Sequence, residues 1–197
     1  MKRLFDILVS CIILLLFLPI AVIIAFVISL ESKGGVFYFQ ERIGKNGVPF
    51  QLWKFRTMQK NADQYGKLTV GMNDARITKA GLFLRKYKLD EFPQFVNVLL
   101  GQMSIVGPRP EVQEYVSLYT EEQRKVLDVK PGITDYASLE YFNENELLGK
   151  STDPKKTYIE EVMPAKLAIN RKYVQHSGFF QDIKIMWLTF MKILSRK

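Results

Sequence analysis

The sequence predicts an α+β, mostly helical protein, with an N-terminal membrane helix, a small β-hairpin and amphipathic interfacial helices around a core. Three observations carry this. From Ile7 to Leu30 no residue is charged, and Asp6 and Glu31 bracket the run. Asn46-Gly47 lies between stretches rich in Val, Phe, Tyr and Trp, a strong hairpin signal. The stretches after Asp74 and after Phe179 carry apolar residues at helical spacing.

The apolar run meets the criterion of about 20 residues for crossing a bilayer. It is too long for the core of a cleaved signal peptide, and no small-residue cleavage site follows. Pro19 lies near its middle. Proline removes a helical hydrogen bond and clashes with the preceding turn, so a kink is expected there. Each half then measures roughly 18 Å, short of a hydrocarbon core of about 30 Å. Two geometries stay open: a kinked helix that spans, or a broken helix that enters and returns to the same face. Lys2 and Arg3 precede the run, and Lys33, Arg42 and Lys45 follow it. That balance names neither end as outside.

The chain divides into the membrane segment, 1–31, and a soluble domain, 32–197, that ends in an amphipathic helix. If Phe50 to Thr57 is a strand, Leu52, Lys54 and Arg56 share one face. Trp53 and Phe55 share the other, expected against the core or the membrane surface. Two aligned cations suit a phosphate; a solvated strand face is the plain alternative. Further on, Pro93 interrupts a helical pattern. One helix is expected to end near Tyr87 and another to start around Phe92. Asp90 and Glu91 then sit at a helix start, where free amides keep a carboxylate ionised. In "GPRPE", residues 107–111, two prolines restrain Arg109 for bidentate phosphate recognition. "KPGIT", 130–134, reads as a turn, and 135–164 as polar and irregular, with "STDPKKT" a loop. In the tail, Phe179, Ile183, Met186, Trp187, Phe190 and Leu194 form an apolar stripe beside Lys184, Lys192, Arg196 and Lys197. That pattern fits a helix lying in an anionic membrane interface; packing on the core is the alternative.

Composition bounds the chemistry. The 197 residues carry a formal charge of +8, which calls for a polyanionic partner. Nucleic acid is disfavoured, because no recognition motif is present and the apolar N-terminus would be unexplained. The single cysteine, Cys11, excludes an internal disulfide. The single histidine, His176, cannot make a zinc site alone and reads as structural. Neither a Gly-rich phosphate loop nor a dinucleotide fingerprint occurs. What remains is an acidic pair, Asp90 and Glu91, with cations on both sides. Carboxylates serve as nucleophiles in phosphoryl transfer, and such chemistry calls for Mg²⁺ and arginines around a diphosphate.

The blocks "KRLFDILVSCIILLLFLPI", "FRTM", "LRKYKLDEFPQFVNVLLGQMSIVGPRPE" and "KPGIT" resemble the bacterial sugar transferase family, in particular its small monotopic polyprenyl-phosphate phosphoglycosyl transferases. The resemblance runs over nearly the whole chain. It implies transfer of a sugar-1-phosphate from a UDP-sugar, such as a UDP-N-acetylhexosamine derivative, to polyprenyl (undecaprenyl) phosphate, with release of UMP. It implies Asp90 as nucleophile and metal ligand, Glu91 as its assistant in proton handling or acceptor activation, and Mg²⁺ beside them. Lys54, Arg85 and Arg109 become phosphate-contact candidates, with Arg56 behind them. The resemblance also implies a re-entrant helix hairpin bent at Pro19. The protein is then monotopic, at the cytoplasmic face of the bacterial inner membrane, against anionic lipid. One departure stands out: the Pro-Gly-Ile-Thr turn leads into Asp135 and Tyr136, where many relatives have Gly and a Trp-Ala-Gln segment. Large relatives carry extra transmembrane helices before this domain, so the chain reads as a catalytic unit alone. Two other readings compete: a membrane glycosyltransferase that releases UDP, and a non-enzymatic membrane scaffold.

Overall fold

A computed structural model describes residues 1–60, 62 and 74–195 of the chain. Arg196 and Lys197 of the expected basic tail lie outside the described residues. The apolar run forms one helix, α1 (Lys2–Glu31), which continues through Pro19. It is the one helix among the described residues long and apolar enough to cross a membrane.

The helix does not project from the domain; it lies against it. Asp6, Ser10, Phe17, Ile24 and Ile28 form its buried stripe. The opposite side exposes Leu4, Leu8, Ile12, Leu15, Val22 and Phe26. Both ends are tied to the same folded body. At the N-terminal end Arg3 donates to the carbonyls of Val98 and Leu99. Asp6 accepts from Ser104 Oγ at 2.8 Å and from the Ile105 amide at 3.3 Å. At the other end Glu31 accepts from the amides of Lys79 and Ala80 at 3.0 and 2.9 Å.

The hairpin forms as expected. Strands β1 (Phe37–Ile43) and β2 (Pro49–Phe55) pair antiparallel, with Phe37 opposite Phe55 and Ile43 opposite Pro49. Asn46 and Gly47 both take positive φ, 56° and 76°, in the connection, which is why this pair closes it. The facing differs from expectation. Phe50 and Leu52 are buried and Lys54 lies inward with them, while Trp53 is half-buried against Phe37 and Phe39. Phe55 is buried too, against Phe17, Ile24 and Ile28 of α1, so the Trp53–Phe55 face meets the core as expected and the Lys54 face is covered as well.

Helix α2 (Lys79–Lys86) is capped by Thr78, whose side chain accepts from the Gly81 amide. Gly81 is needed for packing: a Cβ there would lie 2.1 Å from the Thr57 carbonyl oxygen. A 3₁₀ turn, Leu89–Glu91, follows, and then α3 (Gln94–Leu99), with Pro93 immediately before it. The expected break is present, but the dyad lies in the 3₁₀ turn rather than on the first turn of α3.

Strand β3 (Ser104–Val106) pairs in parallel with β4 (Gly132–Thr134). The expected turn at 130–134 is thus half strand. The chains cross so closely that a Cβ on Gly132 would sit 2.1 Å from the Gly107 nitrogen. Between them lie α4 (Gln113–Val116) and α5 (Glu121–Arg124), the latter closed by a capping box of Thr120 and Gln123.

The segment 135–164 is helical, not irregular: α6 (Tyr136–Glu140), α7 (Glu144–Gly149), α8 (Pro154–Thr157) and a π-turn leading into α9 (Met163–Gln175). Local signals explain part of this. Asp135 and Asp153 cap their helices, and Pro154 occupies a first-turn position. Helix α10 (Phe179–Leu194) buries Asp182 and Ile185. Its predicted stripe faces outward: Phe179, Ile183, Trp187, Phe190 and Leu194 are exposed, while Met186 packs on the core. His176 is exposed at the end of α9, consistent with no role at the site.

Candidate active site

Four elements converge on the dyad. Lys54 comes from the end of β2, and Arg85 from the last turn of α2. Asp90 and Glu91 come from the 3₁₀ turn, and Arg109 from the loop after β3. Lys88 opens the turn with φ 58°, a left-handed conformation uncommon outside glycine, and this redirects the chain after α2. Asn97 on α3 sets the strand against the turn. It is fully buried, accepts from the Trp53 amide at 3.0 Å and donates to the Gln51 carbonyl at 2.7 Å. Lys54 lies between those anchor points and the dyad.

The two carboxylates have different partners. Glu91 is gripped bidentately by Arg109, with Nη1 to Oε2 at 3.0 Å and Nη2 to Oε1. Lys54 Nζ adds a contact at 3.4 Å. Asp90 is 7% exposed, and no described residue donates a hydrogen bond to its carboxylate.

Electrostatics follow from this division. Burial raises the Asp90 pKa, and the neighbouring Glu91 charge raises it further, against the pull of Lys54, Arg85 and Lys88. Burial also works to raise Glu91, but Arg109, Lys54 and Lys88 outweigh it and hold that carboxyl well below its usual range. Burial pushes Lys54 down to about 8 despite Glu91. The Glu91 charge holds Arg109 firmly protonated.

Arg85 reaches the same region. Its Nε donates to Thr57 Oγ1 at 2.9 Å, and Asp90 and Asp74 act on its charge. Arg56 is engaged elsewhere. The strand ends at Phe55, the alternation lapses, and the Arg56 guanidinium donates to the Phe37 carbonyl at 3.3 Å and packs over Gly34. Pro19 is distant in sequence from these groups, but its helix is not: the Phe17 ring stacks on Phe92, directly after Glu91, at 3.8 Å between centroids. Asn97 and Asp135 were not singled out as site residues from the sequence. Their roles depend on hydrogen bonds to residues distant in the chain.

Among the described residues no three carboxylates, histidines or cysteines gather to cage a metal. The donor set suits a cation that shares its ligands with a substrate. Mg²⁺ commonly takes one or two carboxylates and completes its shell with phosphate oxygens and water. Asp90 is the free carboxylate. A cavity of about 680 Å³ lies between α6, α9 and α10, but neither dyad residue lines it. The site is therefore defined by the charged cluster.

The structure thus joins an acidic pair ringed by cations to a helix long and apolar enough to cross a membrane. The chain belongs to the bacterial sugar transferase family, whose profile matches residues 1–196. It is 38% identical to a UDP-glucose:undecaprenyl-phosphate glucose-1-phosphate transferase of Klebsiella pneumoniae, over 97% of this chain and 39% of that protein. It is 35% identical to a UDP-N-acetylgalactosamine-undecaprenyl-phosphate N-acetylgalactosaminephosphotransferase of Aeromonas hydrophila, over 98% and 44%. It is 37% identical to the sugar transferase EpsL of Bacillus subtilis, over 98% and 87%. The chain thus spans about two fifths of the first two relatives and most of the third.

Proposed function

We propose that this protein transfers a sugar-1-phosphate from a UDP-sugar to undecaprenyl phosphate at the cytoplasmic face of the bacterial inner membrane. The observation that carries the proposal is the asymmetry of the dyad. Asp90 is buried and accepts no hydrogen bond among the described residues while Glu91 binds Arg109 and Lys54, so the pair suits one nucleophile and one organiser.

In this mechanism an Asp90 carboxylate oxygen attacks the β-phosphorus of the donor. The bond from that phosphorus to the bridging oxygen breaks, and UMP leaves. The phospho-sugar is then held on Asp90 as an acyl phosphate. A phosphate oxygen of the polyprenyl acceptor attacks the same phosphorus, the bond to Asp90 breaks, and the carboxylate is restored. Lys54, Arg85 and Arg109 neutralise charge on the phosphates. Glu91 holds Arg109 and Lys54 in place until phosphate competes for them. A carboxyl kept this firmly ionised is a poor base, so the geometry favours a holding role over proton handling. Mg²⁺, with Asp90 as its protein ligand, would supply charge neutralisation on the diphosphate. Arg56 supports the junction of α1 and β1 rather than the phosphates.

The relatives' names differ in their sugars, glucose and N-acetylgalactosamine. A UDP-N-acetylhexosamine is the first donor to test here. The outward apolar faces of α1 and α10 would rest in lipid, with the +8 chain favouring anionic headgroups and no nucleic acid involved. We read α1 as re-entrant, bending at Pro19. Its two ends bond to one domain, so they belong on one side of the bilayer. A cysteine placed ahead of Met1, with Cys11→Ser, tests this: an impermeant maleimide should leave it unlabelled in intact cells, and labelling would overturn the hairpin.

The reaction is tested by incubating purified protein with undecaprenyl phosphate, Mg²⁺ and a panel of UDP-sugars while assaying UMP and UDP. UMP formed only with acceptor and only with certain sugars supports the proposal. UDP would make the protein a glycosyltransferase, and neither product would favour a scaffold.

A further inference from the structure

Asp135 is 0% exposed and lies 26 residues beyond Arg109. The parallel pairing of β3 with β4 brings the two together. Its Oδ1 accepts from the Ser138 amide and so caps α6. Its Oδ2 accepts from the Arg109 amide at 2.8 Å and from Asn170 Nδ2 at 2.9 Å. Capping alone needs one oxygen, and serine or asparagine would serve. The second oxygen does something a cap does not require.

That something is specific to the loop. Pro108 and Pro110 have no amide hydrogen, so Arg109 supplies the single N–H of this triplet. Its acceptor joins the bonds at the Pro108 and Pro110 carbonyls, which take up Gly132 N–H and Arg42, in holding the loop. The acceptor is a buried carboxylate satisfied by three N–H donors, the condition under which burying a charge is tolerated. Asn170, on α9, is 4% exposed, and its Oδ1 has no partner among the described residues. Its amide is thus oriented for Asp135.

We propose that Asp135, braced by Asn170, is a positioning residue for Arg109: it holds the arginine's backbone so that the guanidinium meets Glu91 and the donor phosphate in one geometry. The kinetic part rests on the phosphate-binding reading of Arg109 above. The backbone part does not.

Two measurements test it. In Asp135→Asn, the new amide meets the Arg109 and Asn170 donors with hydrogens of its own. Amide exchange of the Gly107–Glu111 fragment should accelerate about ten-fold or more as the local opening energy falls. Unchanged exchange in the single variant overturns the proposal whatever reaction the protein performs. In turnover, Asp135→Asn should lower kcat/KM for the UDP-sugar by up to about 100-fold, the scale of a misplaced reacting group. In an Arg109→Lys background the same change should add less than about two-fold, because the guanidinium that Asp135 positions is already gone. Losses that simply multiply would make Asp135 a helix cap and nothing more.

Discussion

The surroundings of Asp90 and of Glu91 differ as much as those of residues far apart. Around Glu91 two cations converge at hydrogen-bond distance, and the carboxyl stays ionised at any ordinary pH. Around Asp90 there is burial and a like-charged neighbour, and the cations act only at longer range. The direction of chain travel makes the difference. Successive side chains in a 3₁₀ turn point about a third of a turn apart, so one faces Arg109 and Lys54 and the other does not. An acidic pair is thus split into a carboxylate held by cations and one held apart from them, the division that the proposed mechanism uses.

Removing the reacting group should give the largest effect. Asp90→Asn should reduce UMP release by at least about 10³-fold, the range seen when a nucleophile is deleted. The midpoint of thermal unfolding should hold or rise, because a buried carboxyl beside a like charge is removed. Activity within ten-fold of the parent would end the nucleophile assignment.

Removing the organiser should invert that pattern. Glu91→Gln leaves the Arg109 and Lys54 charges without their counter-charge. Loss of one partner from a fully buried pair costs about 3–5 kcal/mol. With the Arg109 side chain 31% exposed, about 2 kcal/mol is expected in denaturant unfolding. Turnover should fall through KM for the donor more than through kcat. A variant as stable as the parent would mean that Glu91 does not hold the cations.

The smallest effect is a displaced pH limb. Values of kcat/KM should rise as Asp90 ionises, above the ordinary aspartate range, and fall as Lys54 loses its proton near pH 8. Lys54→Arg should move the alkaline limb upward, because guanidinium does not titrate there. The linkage signs are opposite for the two groups. The folded pKa of Lys54 lies below its ordinary 10.5, so between about 8 and 10.5 the unfolded chain binds more protons and stability rises with pH. The folded pKa of Asp90 lies above its ordinary 3.8, so stability falls as pH rises through that window. An alkaline limb that stays put in Lys54→Arg would assign it to another group.

Local rules reached far into this molecule. Charge-free length marked α1, Asn46-Gly47 marked the hairpin, and Pro93 marked the break that isolates the dyad. Alternation picked out Lys54 but gave its face the wrong surroundings, because a charged residue was read as outward when burial and Glu91 draw it in. It failed at Arg56, one residue past the end of the strand. The β3–β4 pairing was not legible, since two three-residue strands 28 positions apart leave no periodic trace. With that pairing went the link from Asp135 to Arg109. The short helices of 135–164 were missed for the opposite reason: their caps were visible, but the runs are too brief for a hydrophobic period.

The stacked rings of Phe17 and Phe92 carry one more consequence. Phe17 belongs to the helix long and apolar enough to cross a membrane, and Phe92 shares a peptide bond with Glu91. The stacked pair is thus one of several contacts that join the apolar helix to the turn carrying the acidic pair. A change in the path of the apolar helix would move the ring beside Glu91 with it, so the helix is part of the scaffold of the acidic pair.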